Sequence, residues 1–191
     1  AYPNTRLLTP VIHMSHGQEH VRRRLESVAR GLGVGNGVRR RAVDAALAAQ
    51  GEFFAALERR GREVLTSLGN EPALVIISRP YNGCDPSVSS DLPAKLSRMG
   101  VHVMPAEMLD LPMDEAAAAF PGMYWHYGQK ILAAALAVKK DPRLHAVYLT
   151  NFGCGPDSFI HHLFSTAMDG VPFLTIEADE HSADAGMITR C

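Results

Sequence analysis

His145-Ala146-Val147-Tyr148-Leu149-Thr150, running on into Asn151-Phe152-Gly153-Cys154-Gly155-Pro156-Asp157-Ser158-Phe159, is the stretch on which the fold turns. Its first half reads as a buried strand, and Pro156 with Asp157 suits the first turn of a helix through Ser158 to Met168. A strand, a tight glycine turn and a helix in that order are the repeating unit of an α/β protein. The turn also sets one cysteine, Cys154, at the amino end of a helix. Free backbone N–H groups and the positive end of the helix dipole favour a charged sulfur there, and Gly153 and Gly155 keep its surroundings open. A small buried cysteine in a tight turn is the plainer reading of the same residues, and both stay open at this point.

The same alternation continues outward. From Glu71-Pro72 onward, short apolar runs alternate with helical segments, with strands expected at Ala73 to Ile77, His102 to Met104, Ala146 to Thr150 and Phe173 to Glu177. Helices are expected from about Val88 to Met99, Met123 to Lys140 and Ser158 to Met168. Right-handed crossovers then give a doubly wound, Rossmann or flavodoxin-like α/β domain over 71–191: a mostly parallel four-stranded sheet of order 2-1-3-4 in a three-layer sandwich. Residues 1–70 read as an N-terminal helical extension packing on that core. It begins with a short strand at Leu7 to His13, continues with a helix from about Gln18 to Leu32, and ends in one long helix, or two in series, from Val38 to about Leu68.

Composition narrows the function classes. The 191 residues are 47% hydrophobic and 20% charged with a net charge of -1, so no bulk charge recruits nucleic acid or anionic lipid. Arginine clusters at 22 to 24, 39 to 41 and 59 to 60 have acidic neighbours and read as solvated helix faces. No apolar run approaches the roughly 20 residues of a membrane span, and no signal pattern opens the chain, so a cytoplasmic location is the default. Three cysteines suit reduced thiols or metal ligands rather than a disulfide framework. The chain starts at Ala1 and stops at Cys191 without a closing element, which reads as a piece of something larger.

The chemically distinctive residues fall just past strand ends, where an open parallel sheet holds its ligand crevice. Arg79-Pro80-Tyr81-Asn82-Gly83-Cys84-Asp85 follows the first strand and Asn151 to Asp157 the third, so Cys84 and Cys154 are expected to face each other across the crevice. Arg79 suits clamping a phosphate or carboxylate, or a structural pairing with Asp85 or Asp179. Glu177 to Gly186 gathers carboxylates around His181, a group suited to a hydrogen-bond network, a divalent metal or orienting a ligand. His16 and His20 lie one helical turn apart, with His13 nearby, but no third metal ligand is obvious. Met123-Tyr124-Trp125-His126-Tyr127 begins a helix, with aromatics that suit a core or an interface.

With these runs assembled, the chain resembles the 2-hydroxyacyl-CoA dehydratase system, specifically the acyl-CoA dehydratase activase-related proteins. The signatures are Arg79-Pro80-Tyr81-Asn82, Met123-Tyr124-Trp125 with Tyr127-Gly128-Gln129, Tyr148 to Phe159, and Asp179 to Gly186 with Thr189-Arg190, over roughly residues 72 to 190. The resemblance implies a cubane iron–sulfur cluster held by cysteines and an actin-like, ATP-hydrolysing activator as partner. It also implies low-potential electron transfer to a dehydratase acting on an acyl-CoA. Cys154 matches the motif cysteine and is expected as a cluster ligand, with Cys84 as a second candidate and Gly153, Gly155, Arg79 and Asn151 around them. A cubane normally takes four thiolates, so further cysteines are expected outside this chain, and the piece by itself is expected to carry no intact cluster, ATPase activity or turnover. A module binding coenzyme A or another anion at Arg79 and the Gly153 to Asp157 turn is the alternative, with Asp157 opposing the anion. A structural docking domain built on the long helix is the third reading.

Overall fold

The computed structural model of the chain describes residues 5–151 and 153–178. The chain divides into two compact units, one ending at Ala56 and the other beginning at Leu57. In the first unit, a 3-10 turn at Met14–His16 leads into α1 (Gln18–Gly31), and α2 begins at Asn36. Leu7 to His13 is not a strand: the segment is irregular, and Leu7 is 82% exposed. The physical reason lies in the run itself, where Pro10 offers no N–H to a ladder, and among the described residues no strand pairs with it. Gly33, at φ 75°, ends the α1 region in the left-handed conformation open to glycine. Arg22 is tied to Glu19 and Asp44, Arg60 to Glu63 and Arg62 to Glu58, so these arginines have the acidic partners their neighbours in sequence suggest.

One helix, α2 (Asn36–Ser67), covers the span read as one or two, and the division between the units falls within it. The second unit continues with β1 (Ala73–Ile77), α3 (Pro80–Gly83), α4 (Leu92–Arg98) and β2 (His102–Pro105). It then runs through α5 (Met113–Ala119), α6 (His126–Lys140), β3 (Leu144–Asn151), α7 (Gly155–Met168) and β4 (Leu174–Ala178). The sheet has four parallel strands in the order β2-β1-β3-β4, as the sequence predicts. Val75 lies opposite Met104 on one side and Ala146 on the other, and Leu149 opposite Ile176.

Alternate residues face opposite layers, which is why the strands read as continuous apolar runs. Val75, Ile77, Ala146 and Tyr148 join the core formed with α6 and α7, while Ile76, Val147, Leu149 and Ile176 pack with Leu92 and Leu96 of α4. Each fully buried Leu or Ile contributes about 2 kcal/mol. Ala133, Ala134 and Ala135 of α6 are all 0% exposed, and side chains this small bring the helix close to the sheet. The strand order reverses between β1 and β3, so the crevice of this doubly wound sheet opens at their carboxyl ends.

Candidate functional site

Arg79 and Cys154 meet at that crevice. After β3 the backbone turns at Gly153, whose φ of 68° favours a residue without a Cβ, and the Cys154 N–H donates to the Asn151 carbonyl at 3.2 Å. Cys154 is then the N-cap of α7, with extended φ and ψ of -71° and 106°, and its own carbonyl accepts the Ser158 N–H at 3.0 Å. The Asn151 side chain donates to the Ala178 carbonyl at 3.2 Å and joins the turn to the end of β4. After β1, Arg79 caps α3 and Pro80 fixes its first turn.

The Arg79 Nη2 donates to the Cys154 Sγ at 3.1 Å and to the Asp157 Oδ2 at 2.8 Å. The Thr150 hydroxyl donates to the same carboxylate oxygen at 2.7 Å. Asp157 is 3% exposed, whereas Cys154 is half-buried, so a covered carboxylate aims the guanidinium at the sulfur of a partly exposed residue. Burial alone would lower Arg79, but the charge and hydrogen bond of Asp157 outweigh it and hold the guanidinium above its ordinary value. Burial, with Asp157 adding to it, pushes the Tyr148 hydroxyl up and keeps it protonated. The second oxygen, Asp157 Oδ1, and Arg79 Nε have no hydrogen-bond partner among the described residues. A polar cavity of about 420 Å³ opens beside them, lined by Tyr148, Thr150, Asn151, Asp157, His161 and Thr175 among others.

Tyr81 lies against the pair, and exposed aromatic rings meet near the starts of α6 and α7. Tyr81 lies under the Arg79 guanidinium at 5.0 Å and its hydroxyl accepts from Nη1 at 2.6 Å. Tyr81 touches Tyr127 at 6.2 Å and Trp125 touches Phe159 at 6.3 Å between ring centroids, and all four are exposed. Met123 alone of the Met123 to Trp125 run is buried, so these aromatics are surface residues and not core.

Cys84 sits elsewhere on the sheet. It is an exposed residue at the end of α3, on the wall of a cavity of about 330 Å³ with Ile76, Pro86, Val103 and Pro105, between the β1 and β2 sides. Burial of the sulfur, with Glu107 adding to it, pushes its thiol up, and burial likewise raises Glu107. The two cysteines thus have separate surroundings. Arg79 is also not the partner of Asp85, which instead accepts the N–H groups of Ser87 and Val88. Sequence reasoning missed the Arg79–Asp157 ion pair. The sequence offered only a part of the signal, an acidic residue in the first turn of a helix. Phe152, the Asp179 to Asp184 segment and Cys191 lie outside the described residues.

A family profile described as the CoA enzyme activase uncharacterised domain matches residues 2–109. The chain belongs to that family. The match takes in the helical amino-terminal part, ahead of the resembling runs at 72 to 190, and runs through β1, Arg79, Cys84 and β2. It stops short of β3 and Cys154. No curated protein and no solved structure matches the chain.

Membership of the activase family makes the donor set at Cys154 worth testing against a cubane cluster. The sulfur of a half-buried cysteine, receiving an N–H hydrogen bond, suits one corner of such a group. Among the described residues, however, no group of three or more His, Cys, Asp or Glu side chains could hold a metal ion. The residues therefore fit one ligand of a cluster and not a cluster by themselves. No described helix is long and apolar enough to cross a membrane.

Proposed function

We propose that this domain serves a CoA-substrate-specific activase or dehydratase system by lending Cys154 as one thiolate to an iron–sulfur centre. The remaining thiolates would come from cysteines outside the described residues. One observation carries the reading: the Cys154 sulfur lies at the strand-order reversal with the Arg79 guanidinium donating to it at 3.1 Å. When bound, such a centre would supply one-electron chemistry at low potential. The chain's own residues hold its ligand: Gly153 makes the turn, the α7 amino end faces the sulfur, and Asp157 fixes Arg79 beside it. The separate surroundings of Cys84 favour Cys154 as the ligand from this domain. An actin-like, ATP-hydrolysing activator is the proposed electron donor and a dehydratase component the proposed recipient. Binding of a free anion such as coenzyme A is the weaker reading, because Asp157 already neutralises Arg79.

Anaerobic purification of the native protein, with iron and acid-labile sulfide measured on wild type, Cys154→Ala and Cys84→Ala, tests this. Loss of cluster in Cys154→Ala with retention in Cys84→Ala is expected. Undiminished iron and sulfide in Cys154→Ala would reject the ligand role.

A further inference from the structure

The first unit gathers three imidazoles that the site does not use. His13 and His16 stack with ring centroids 4.9 Å apart, His16 meets His20 edge-on at 4.9 Å, and His13 lies 5.8 Å from His20. The rings belong to the segment ahead of α1, the 3-10 turn and the first turn of α1, so their contact closes that segment onto the helix. His20 is half-buried, and its Nε2 has no hydrogen-bond partner. Imidazoles are the side chains whose charge changes between pH 5 and 8, so three in contact make a group that responds to protons.

The arginines beside the cluster act against its protonation. Arg23 and Arg24 of α1 add positive charge to the cluster, and Glu19, the acidic group nearest in sequence, is drawn to Arg22 at 3.5 Å and Arg23 at 3.9 Å. From the segment before the turn comes Arg6, which donates to the Gly31 carbonyl at the far end of α1; from α2 comes Asp44, bound to Arg22. No carboxylate is bonded to any of the three rings among the described residues. Local desolvation, then His16, His13, Arg24 and Arg23, lower His20 from 6.5.

We propose that the His13–His16–His20 cluster is a proton-operated latch: uncharged, it holds the segment ahead of α1 against that helix, and uptake of protons by the cluster in acid releases it. The sign follows from His20. A base depressed on folding binds fewer protons folded than unfolded, so the latch is fully closed above 6.5 and loosens as pH falls below it. Charged rings at this spacing repel, and the segment is then left with exposed hydrogen bonds such as Arg24 Nε to the Val11 carbonyl at 2.8 Å. The same segment walls a cavity of about 290 Å³ with Arg24, Ser27 and Val28, which release would open.

Hydrogen exchange by mass spectrometry on the 191-residue chain reads the latch directly, at about pH 7.5 and about pH 5.5 with labelling times corrected for intrinsic rates. Protection at the His16, Gly17 and His20 amides, all donors within the turn, is expected to fall about three- to tenfold in acid relative to β3. In the double variant His13→Gln/His16→Gln, which leaves a single ring, that acid-dependent fall is expected to disappear. Equal protection at both pH values in wild type, or an undiminished fall in the double variant, would overturn the proposal.

Discussion

The residue-scale feature that organises the site is a shared carboxylate. Asp157, at 3% exposure, accepts from both Thr150 and Arg79, so its removal strands a guanidinium whose side chain is only 16% exposed. Breaking a covered ion pair by deleting one partner costs about 3–5 kcal/mol, whereas replacing both partners by apolar groups restores much of the loss. Urea unfolding of Asp157→Ala, Arg79→Met and the double variant should therefore give strongly non-additive losses, the double falling well short of the sum. Additive losses would mean the pair is not coupled as its geometry indicates. Cys154 was legible in the sequence because glycines on either side of a cysteine between a strand and a helix make an unusual string. Asp157 was not, because a first-turn acidic residue has an ordinary use at a helix amino end and nothing local shows that an arginine across the sheet will claim it.

At the scale of elements, close approach explains what propensity does not. Gly61 of α2 passes the Met108 backbone so tightly that a Cβ would collide with its carbonyl oxygen, while Gly51 of the same helix faces open space. Gly61→Ala should destabilise the protein by about 1–3 kcal/mol, more than the helix gain of about 1 kcal/mol returns. Gly51→Ala, free of that clash, should be neutral or stabilising. Thermal melts of the two compare them directly, and a shift in the same direction for both would defeat the argument. Arg143 makes a second tie, donating to the Leu65 and Gly69 carbonyls near the end of α2 while its pairing with Asp141 holds that carboxyl below the usual range. The strands and the long helices were readable from periodicity and from continuous apolar runs. The strand expected at Leu7 to His13 failed because a lone apolar run becomes a strand only where an edge accepts it.

Across the whole molecule, stability is uneven. Val21 and Val43 are the only fully buried hydrophobic residues described before residue 57, against a continuous two-faced core around the sheet in the second unit. Amides of α1 should therefore exchange far faster than those of β1 and β3, and melt ahead of them on heating. Uniform protection across both units would contradict this. The sequence by itself determined the parallel four-stranded sheet and its order, because buried strands and amphipathic helices announce their periods locally. It also placed Arg79 and Cys154 at strand ends, since that follows from counting along each run. Only the tertiary structure decided that Arg79 turns to Asp157 rather than Asp85, that Cys84 lines a cavity on the β1 and β2 side while Cys154 meets Arg79, and that three histidines share one cluster. Each of these is a choice among partners of similar chemistry, settled by which side chains the crossovers and turns bring within a few ångströms.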